Sequence, residues 1–405
     1  MKNAPYEILF NWAFTHEPHF AYRKGESKSA KYGKGRVKVA GKIKNYFAGG
    51  NTARGFYSLY ESNLQGLNRI FILKGGPGTG KSSLMKAIGT EWADKDYDIE
   101  YLHCSSDNDS IDGVLIPELR VGIVDGTAPH VIEPKAPGAI EEYVNLGEAW
   151  DSKALANQKE SILKISNEAS KSFEAAYSTF EEALKIHDIW ENIYFDHMDF
   201  SKADQLTNKL IADFYGNIYL NKQSDVRHRF LGAATPKGAV DFVPNLTEDL
   251  PKRYFIKGRA GTGKSTMLKK LASEAVNRGL DIEIYHCGFD PHSLDMLIIR
   301  ELGIAIFDST SPHEYFPSLA GDEIIDTYEE FVTPGTDEIF AEQINEISKQ
   351  YKARMKEAIS YLAQAKEHRD KLEAIYIEAM DFSVVDLLKN NIRKEISNMV
   401  PSTAL

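Results

Sequence analysis

Two nine-residue stretches hold the residue types best suited to chemistry. GGPGTGKSS runs from Gly75 to Ser83 and GRAGTGKST from Gly258 to Thr266. Both satisfy Gly-x-x-x-x-Gly-Lys-Ser, the spacing of a loop that wraps phosphate. Gly75, Gly76, Pro77, Gly78, Thr79, Gly80, Lys81, Ser82 and Ser83 form the first candidate cradle. Gly258, Arg259, Ala260, Gly261, Thr262, Gly263, Lys264, Ser265 and Thr266 form the second. Glycines let backbone N–H groups turn inward around phosphate oxygens, in conformations that a side chain would obstruct. A helix opening after such a loop adds its positive end. Lys81 and Lys264 are then expected to reach the β- and γ-phosphates, and the Ser82 and Ser265 hydroxyls to bind Mg²⁺.

Such a loop needs a second magnesium support, an acid ending a neighbouring strand. RVGIVD supplies Asp125 and GIAIFD supplies Asp308, in matching places. Neither is followed by the glutamate that polarises water in motor ATPases, which disfavours a fast motor. A shared pattern, His-Cys-x-x-Asp-x-x-Ser-x-Asp, follows the strand before it: His103, Cys104, Asp107, Ser110 and Asp112, then His286, Cys287, Asp290, Ser293 and Asp295. At that edge of an α/β fold, Asp107 and Asp290 are candidates to orient or deprotonate a phosphoryl acceptor. Zinc at His103, Cys104 and His130 is disfavoured, because adjacent strand residues point to opposite faces. Arg54 and Lys237 stand in matched Thr-x-Arg/Lys-Gly segments, as candidate cations for one half to meet the other's γ-phosphate.

The elements that position these residues come in two copies. A shift of 183 aligns residues 98–130 with 281–313, and 16 of those 33 positions are identical. Downstream one residue is lost, so that MDFS at 198–201 meets MDFS at 380–383. The boundaries this implies are a basic arm over 1–43, expected to be poorly ordered, a first domain over 44–222 and a second over 223–405. RIFILKG, DIEYLHC and LRVGIVD read as buried parallel strands, with SIDGVLIPEL between the last two as a short helix or turn. The RHRFLGAAT…GAVDF region (227–242) and its counterpart from Lys44 read as edge strands. Proline-free stretches rich in Ala, Glu and Lys, about 150–215 and 336–397, carry apolar stripes such as Ile162, Ile165, Ala169 and Phe173. They predict long helices, paired as hairpins, that bury a face on their own domain or the other copy. The fold class expected is α/β: two tandem P-loop NTPase domains, each a three-layer α/β/α unit with a parallel sheet and a long helical appendage.

Composition sets outer limits. With 42% hydrophobic and 26% charged residues, the chain reads as a globular protein without a membrane span. Net charge is −11; residues 1–44 carry 10 Lys/Arg against 3 Asp/Glu, leaving −18 for the remainder. So acidic a body argues against a nucleic-acid footprint. Two cysteines in equivalent places make no disulfide framework, and a reducing cytoplasm is the expected location.

With these motifs in place, the chain resembles the bacterial tandem P-loop proteins of spore-forming Firmicutes described as ATP-binding or nucleotide-kinase-like. The resemblance covers about residues 44–395, and by it residues 1 to about 39 read as a misassigned start or an unusual extension. It implies ATP as the ligand and brings no acceptor with it. The expectations are a slow ATPase with Mg-ATP at two sites, a kinase acting on a nucleotide or other small acceptor, or an ATP-regulated protein binding a protein partner through its helices.

Overall fold

The computed structural model describes residues 40–401; the remainder of the basic arm lies outside the described residues. The first half runs β1 (Ile43–Phe47), β2 (Gly49–Thr52), β3 (Gly55–Ser58), α1 (Tyr60–Leu64), β4 (Arg69–Lys74), α2 (Lys81–Ala93), β5 (Ile99–His103), β6 (Ile111–Ile116), β7 (Val121–Asp125) and β8 (Glu141–Asn145). Helices α3 (Ser152–Asn157), α4 (Lys159–Phe195) and α5 (Phe200–Tyr215) follow. The second half repeats this order with β9 (Val226–Phe230), β10 (Gly232–Thr235), β11 (Gly238–Asp241), α6 (Val243–Thr247), β12 (Lys252–Lys257), α7 (Lys264–Asn277), β13 (Ile282–His286), β14 (Leu294–Ile299), β15 (Ile304–Asp308) and β16 (Asp322–Asp326). It closes with α8 (Thr327–Phe331), α9 (Thr336–Ile339), α10 (Ala341–Glu378) and α11 (Phe382–Asn398).

The architecture is α/β around one mixed sheet of 12 strands, ordered β16-β12-β15-β14-β13-β9-β1-β5-β6-β7-β4-β8. The expected parallel sheet is corrected here. β4 does run parallel to β7 and β8, and β1 to β5, but β6 is antiparallel to both neighbours, as is β14. The run read as a helix or turn, SIDGVLIPEL, supplies that strand. All six residues of β6 are buried, so no alternation betrays its period. The expected edge strands are corrected as well. β1 and β9 lie at the centre, meeting antiparallel at Phe47 and Phe230, while β11-β10-β2-β3 make a second, four-stranded sheet.

That central seam buries charge. The Arg229 guanidinium bonds Glu100 at 2.9 Å and Glu283 at 3.1 Å, and Lys44 lies 3.8 Å from both carboxylates. Tyr46 donates to Glu100 at 2.6 Å, with the Arg229 guanidinium 4.0 Å above its ring. β5 and β13 thus bring equivalent glutamates together, and one arginine serves both.

The long helices do not fold back within their own half. α4 packs against α10 through Ala176, Phe180, Ala358 and Leu362. α5 then buries Leu210, Phe214 and Tyr215 in the second half's core beside Met267 and Leu271, while α11 buries Val385, Ile392 and Ile396 in the first half's core beside Leu84 and Ile88. Each such side chain contributes about 1.5–3 kcal/mol by leaving water. The repeated MDFS supplies the corner: Asp199 and Asp381 are N-caps, accepting from the N–H groups of Lys202 and Ser383 at 3.1 and 2.9 Å. The same aspartates donate their own N–H across the halves, to the carbonyls of Phe331 and Ala149, both at 2.7 Å. The helical exchange is therefore stitched by backbone as well as packing. Among the described residues no helix is long and apolar enough to cross a membrane.

Candidate functional site

Each glycine-rich loop links a buried strand to a helix whose N-cap is a left-handed glycine. Gly80 (φ +85°) precedes α2 and Gly263 (φ +75°) precedes α7, and neither helix has a side-chain cap or an acid in its first turn. The first-turn N–H groups are thus left to a ligand. Thr79 donates to the Gly76 carbonyl at 2.9 Å and Thr262 to that of Arg259 at 2.8 Å, fixing both loops alike. Lys81 Nζ donates to the carbonyls of Gly75 and Gly76 at 2.9 and 2.7 Å, and Lys264 Nζ to that of Arg259 at 2.7 Å.

These ammonium groups face the strand-end acids. Asp125 ends β7 opposite Leu73 of β4, its carboxylate 3.6 Å from Lys81; Asp308 lies 3.5 Å from Lys264. Thr127 and Thr310 steady the two carboxylates through N–H and hydroxyl donors. Burial pushes the Lys81 ammonium below its ordinary value, against the attraction of Asp125. Ser82 Oγ accepts from the Ile111 N–H at 3.0 Å and Ser265 Oγ from that of Leu294 at 2.9 Å, so each hydroxyl sits where its helix meets the neighbouring antiparallel strand. This donor set of a hydroxyl and a carboxylate suits a hard cation.

Sequence reasoning gave no role to Asp112 and Asp295, which the fold brings beside Asp125 and Asp308. Burial raises the Asp112 carboxyl, and burial followed by the Asp308 charge pushes Asp295 up to about 6. Asp112, Asp125 and His130 present ligand atoms within 4.8 Å of one another. His130 is 6% exposed, and neither ring nitrogen has a hydrogen-bond partner. Its counterpart His313 bonds Asp241 through Nδ1 at 2.7 Å. The shared motif in the sequence was the available signal; the pairing of strands that makes it a cluster was not.

The remaining candidates are engaged elsewhere. Asp107 accepts from the Ser110 hydroxyl at 2.6 Å and lies 3.7 Å from Lys366 of α10. Asp290 pairs with Arg54 at 2.9 Å, and Lys237 with Asp109 at 3.2 Å, so these cations do reach across the halves, but to carboxylates. His103 Nε2 meets Asn45 Oδ1 at 2.8 Å, and burial pushes this imidazole down to about 4. Cys104 instead faces Asp112, and burial holds its thiol well up.

Both loops are covered by the opposite half. A methyl on Gly78 would lie 2.7 Å from the Glu373 carbonyl oxygen, and one on Gly76 2.8 Å from the Tyr376 ring, so α10 closes on the first loop. Gly261 meets the Glu191 backbone of α4 in the same way. Shifted by 182, Glu191 and Glu373 are equivalent, as are His187 and Arg369. Burial raises both glutamates, opposed at Glu191 by the Lys264 charge and the Gly261 amide and at Glu373 by the Lys366 charge.

No protein-family model, curated protein or solved structure matches this chain.

Proposed function

We propose that this protein is a tandem P-loop NTPase that binds Mg-ATP at Lys81 and at Lys264 and hydrolyses it slowly. One observation carries the reading. Twice in one chain, a buried strand, a left-handed glycine and an uncapped helix place a lysine ammonium within 4 Å of a strand-end aspartate. Mg²⁺ would be held by Ser82 with Asp125 and by Ser265 with Asp308, and would neutralise charge on the phosphates. Water forms a bond to the γ-phosphorus as the bond to the β,γ-bridging oxygen breaks. The electron pair leaves on ADP and the water proton passes to the phosphate product. Hydrolysis is preferred to transfer because Asp107 and Asp290, the acids at the acceptor edge, are taken up by a turn and by cross-half ion pairs. The two cysteines, both free, Cys104 buried and Cys287 half-buried, support the cytoplasm as its location.

Equilibrium titration with Mg-ATP tests this. Two nucleotides should bind per chain, with K81A and K264A each removing one. Phosphate release should be indifferent to added nucleosides and nucleoside monophosphates. A chain that binds no ATP would end the reading, and turnover dependent on one acceptor would replace hydrolysis by transfer.

A further inference from the structure

We propose that each half completes the other half's nucleotide site, and that Arg369 of α10 is the cation that meets the terminal phosphate held at Lys81. This rests on the reading of the two loops as Mg-ATP sites. Three observations on one helix face place the guanidinium. Lys366 lies 3.7 Å from Asp107, at one side of the first half's ligand edge. Glu373 and Tyr376 pack on Gly78 and Gly76, at the other. Arg369 lies between them at helical spacing, so its side chain shares their face.

Arg369 is also uncommitted. Among the described residues it makes no hydrogen bond or ion pair, although it is half-buried and its charge bears on Lys81, Cys104 and Tyr177. Asp125 offsets the Lys81 charge, and Glu373, one turn along α10, bears on Arg369 without pairing to it, so the guanidinium keeps its donors free. A polyphosphate would engage them, and a guanidinium is the group best shaped to grip it.

Among the groups that α4 and α10 bring, the second site keeps Glu191 and Tyr194 but differs here and at the position of Lys366, where α4 has Leu184. His187 stands where Arg369 stands, beside Lys264 and Asp308, and burial followed by the Lys264 charge pushes its imidazole below the ordinary range. At neutral pH it offers one N–H and no charge. The first site therefore hydrolyses and the second binds with little turnover. This accounts for a duplication that kept both loops while the covering helices diverged.

The full chain tests this, with K264A isolating the first site and K81A the second. Mg-ATP affinity, single-turnover hydrolysis and trapping of ADP with aluminium fluoride are read in each background. R369A in K264A should lower hydrolysis by about 10³-fold and abolish trapping, with ATP affinity nearly unchanged. R369K should not restore it, since a point charge lacks the planar fork. H187R in K81A should raise hydrolysis by about tenfold or more. The proposal falls if R369A hydrolyses within about threefold of its parent while ATP remains bound. It also falls if K264A binds ATP and never turns it over, although binding at the loops then stands. If the unsubstituted chain binds no ATP, the reading of the loops fails first and takes this with it.

Discussion

The two sites share a lysine, a serine and an aspartate, and differ in what surrounds them. In the first, Asp112 and Asp125 face a histidine with no hydrogen-bond partner, and the covering helix brings an arginine. In the second, His313 is tied to Asp241 and the covering helix brings a histidine. The second loop is also tethered, Arg259 pairing with Asp337 at 2.8 Å, where the first loop has Gly76. Duplication conserved the groups that would touch phosphate; divergence lies in the groups that would decide how strongly the phosphate is polarised.

The largest effect is expected where the halves join. Arg229 stands at the position of Tyr46 in the first half, and this single difference lets two equivalent glutamates be buried together. Burial raises Glu283, but Arg229, Lys44 and Arg300 outweigh it and hold the carboxyl down at about 2. A carboxyl depressed from an unfolded value of about 4.3 gives stability that is complete above that pH and is lost as pH falls toward 2. R229L leaves the two carboxylates facing each other with Lys44 between them and Arg300 on Glu283 only, and should lower unfolding free energy by about 3–5 kcal/mol at neutral pH. Its acid unfolding should begin at higher pH than in the unsubstituted chain. Urea unfolding followed at several pH values checks both, and a loss below about 1 kcal/mol would mean that Lys44 and Arg300 neutralise the pair without Arg229.

A smaller effect should separate the two histidines. D241N weakens the partner of His313, whereas S58A changes the matching position in the first half, where His130 makes no hydrogen bond and its Nε2 lies 3.5 Å from Asp112. The expected losses are about 1–3 kcal/mol for D241N and within about 0.5 kcal/mol for S58A. Burial lowers His313, but the bond to Asp241 raises it above its ordinary value. Its contribution is therefore complete below an unfolded value of about 6.5 and lost as pH rises through the folded one, so D241N should be more damaging near pH 6 than near pH 8.5. Equal losses from both substitutions would remove this asymmetry.

How far the sequence carried follows from what each signal encodes. Gly-x-x-x-x-Gly-Lys-Ser names a loop by spacing alone, and Ile123-Val124-Asp125 names a strand end by its run of apolar residues, so both were legible. β6 was not, since a strand buried on both faces shows no alternation. The central place of β1 and β9 depends on one pairing between Phe47 and Phe230, far apart in the chain. The stripe over Ile162, Ile165 and Ala169 states that α4 must be buried without saying against what. Arg369 was hidden by the one-residue deletion, which moves the register from 183 to 182 and breaks its alignment with His187.

The smallest expected effect lies on the loops. Glu191 and Glu373 are equivalent, yet burial is opposed at Glu191 by Lys264 and the Gly261 amide and at Glu373 by Lys366 and Arg369. A carboxylate drawn toward the loop amide competes with a phosphate oxygen for that donor, and its charge adds to the phosphate's own. The second loop should therefore bind ATP more weakly than the first. E191Q keeps the shape of the side chain and removes its charge, so ATP affinity at the second loop should rise by about three- to tenfold in the K81A background. E373Q in the K264A background should shift it by no more than about twofold, because that carboxylate must leave no amide when phosphate arrives. Titration with a non-hydrolysable ATP analogue separates affinity from turnover. Equal shifts at the two loops would mean that both glutamates act only through their charge, and that the Gly261 amide does not distinguish the sites.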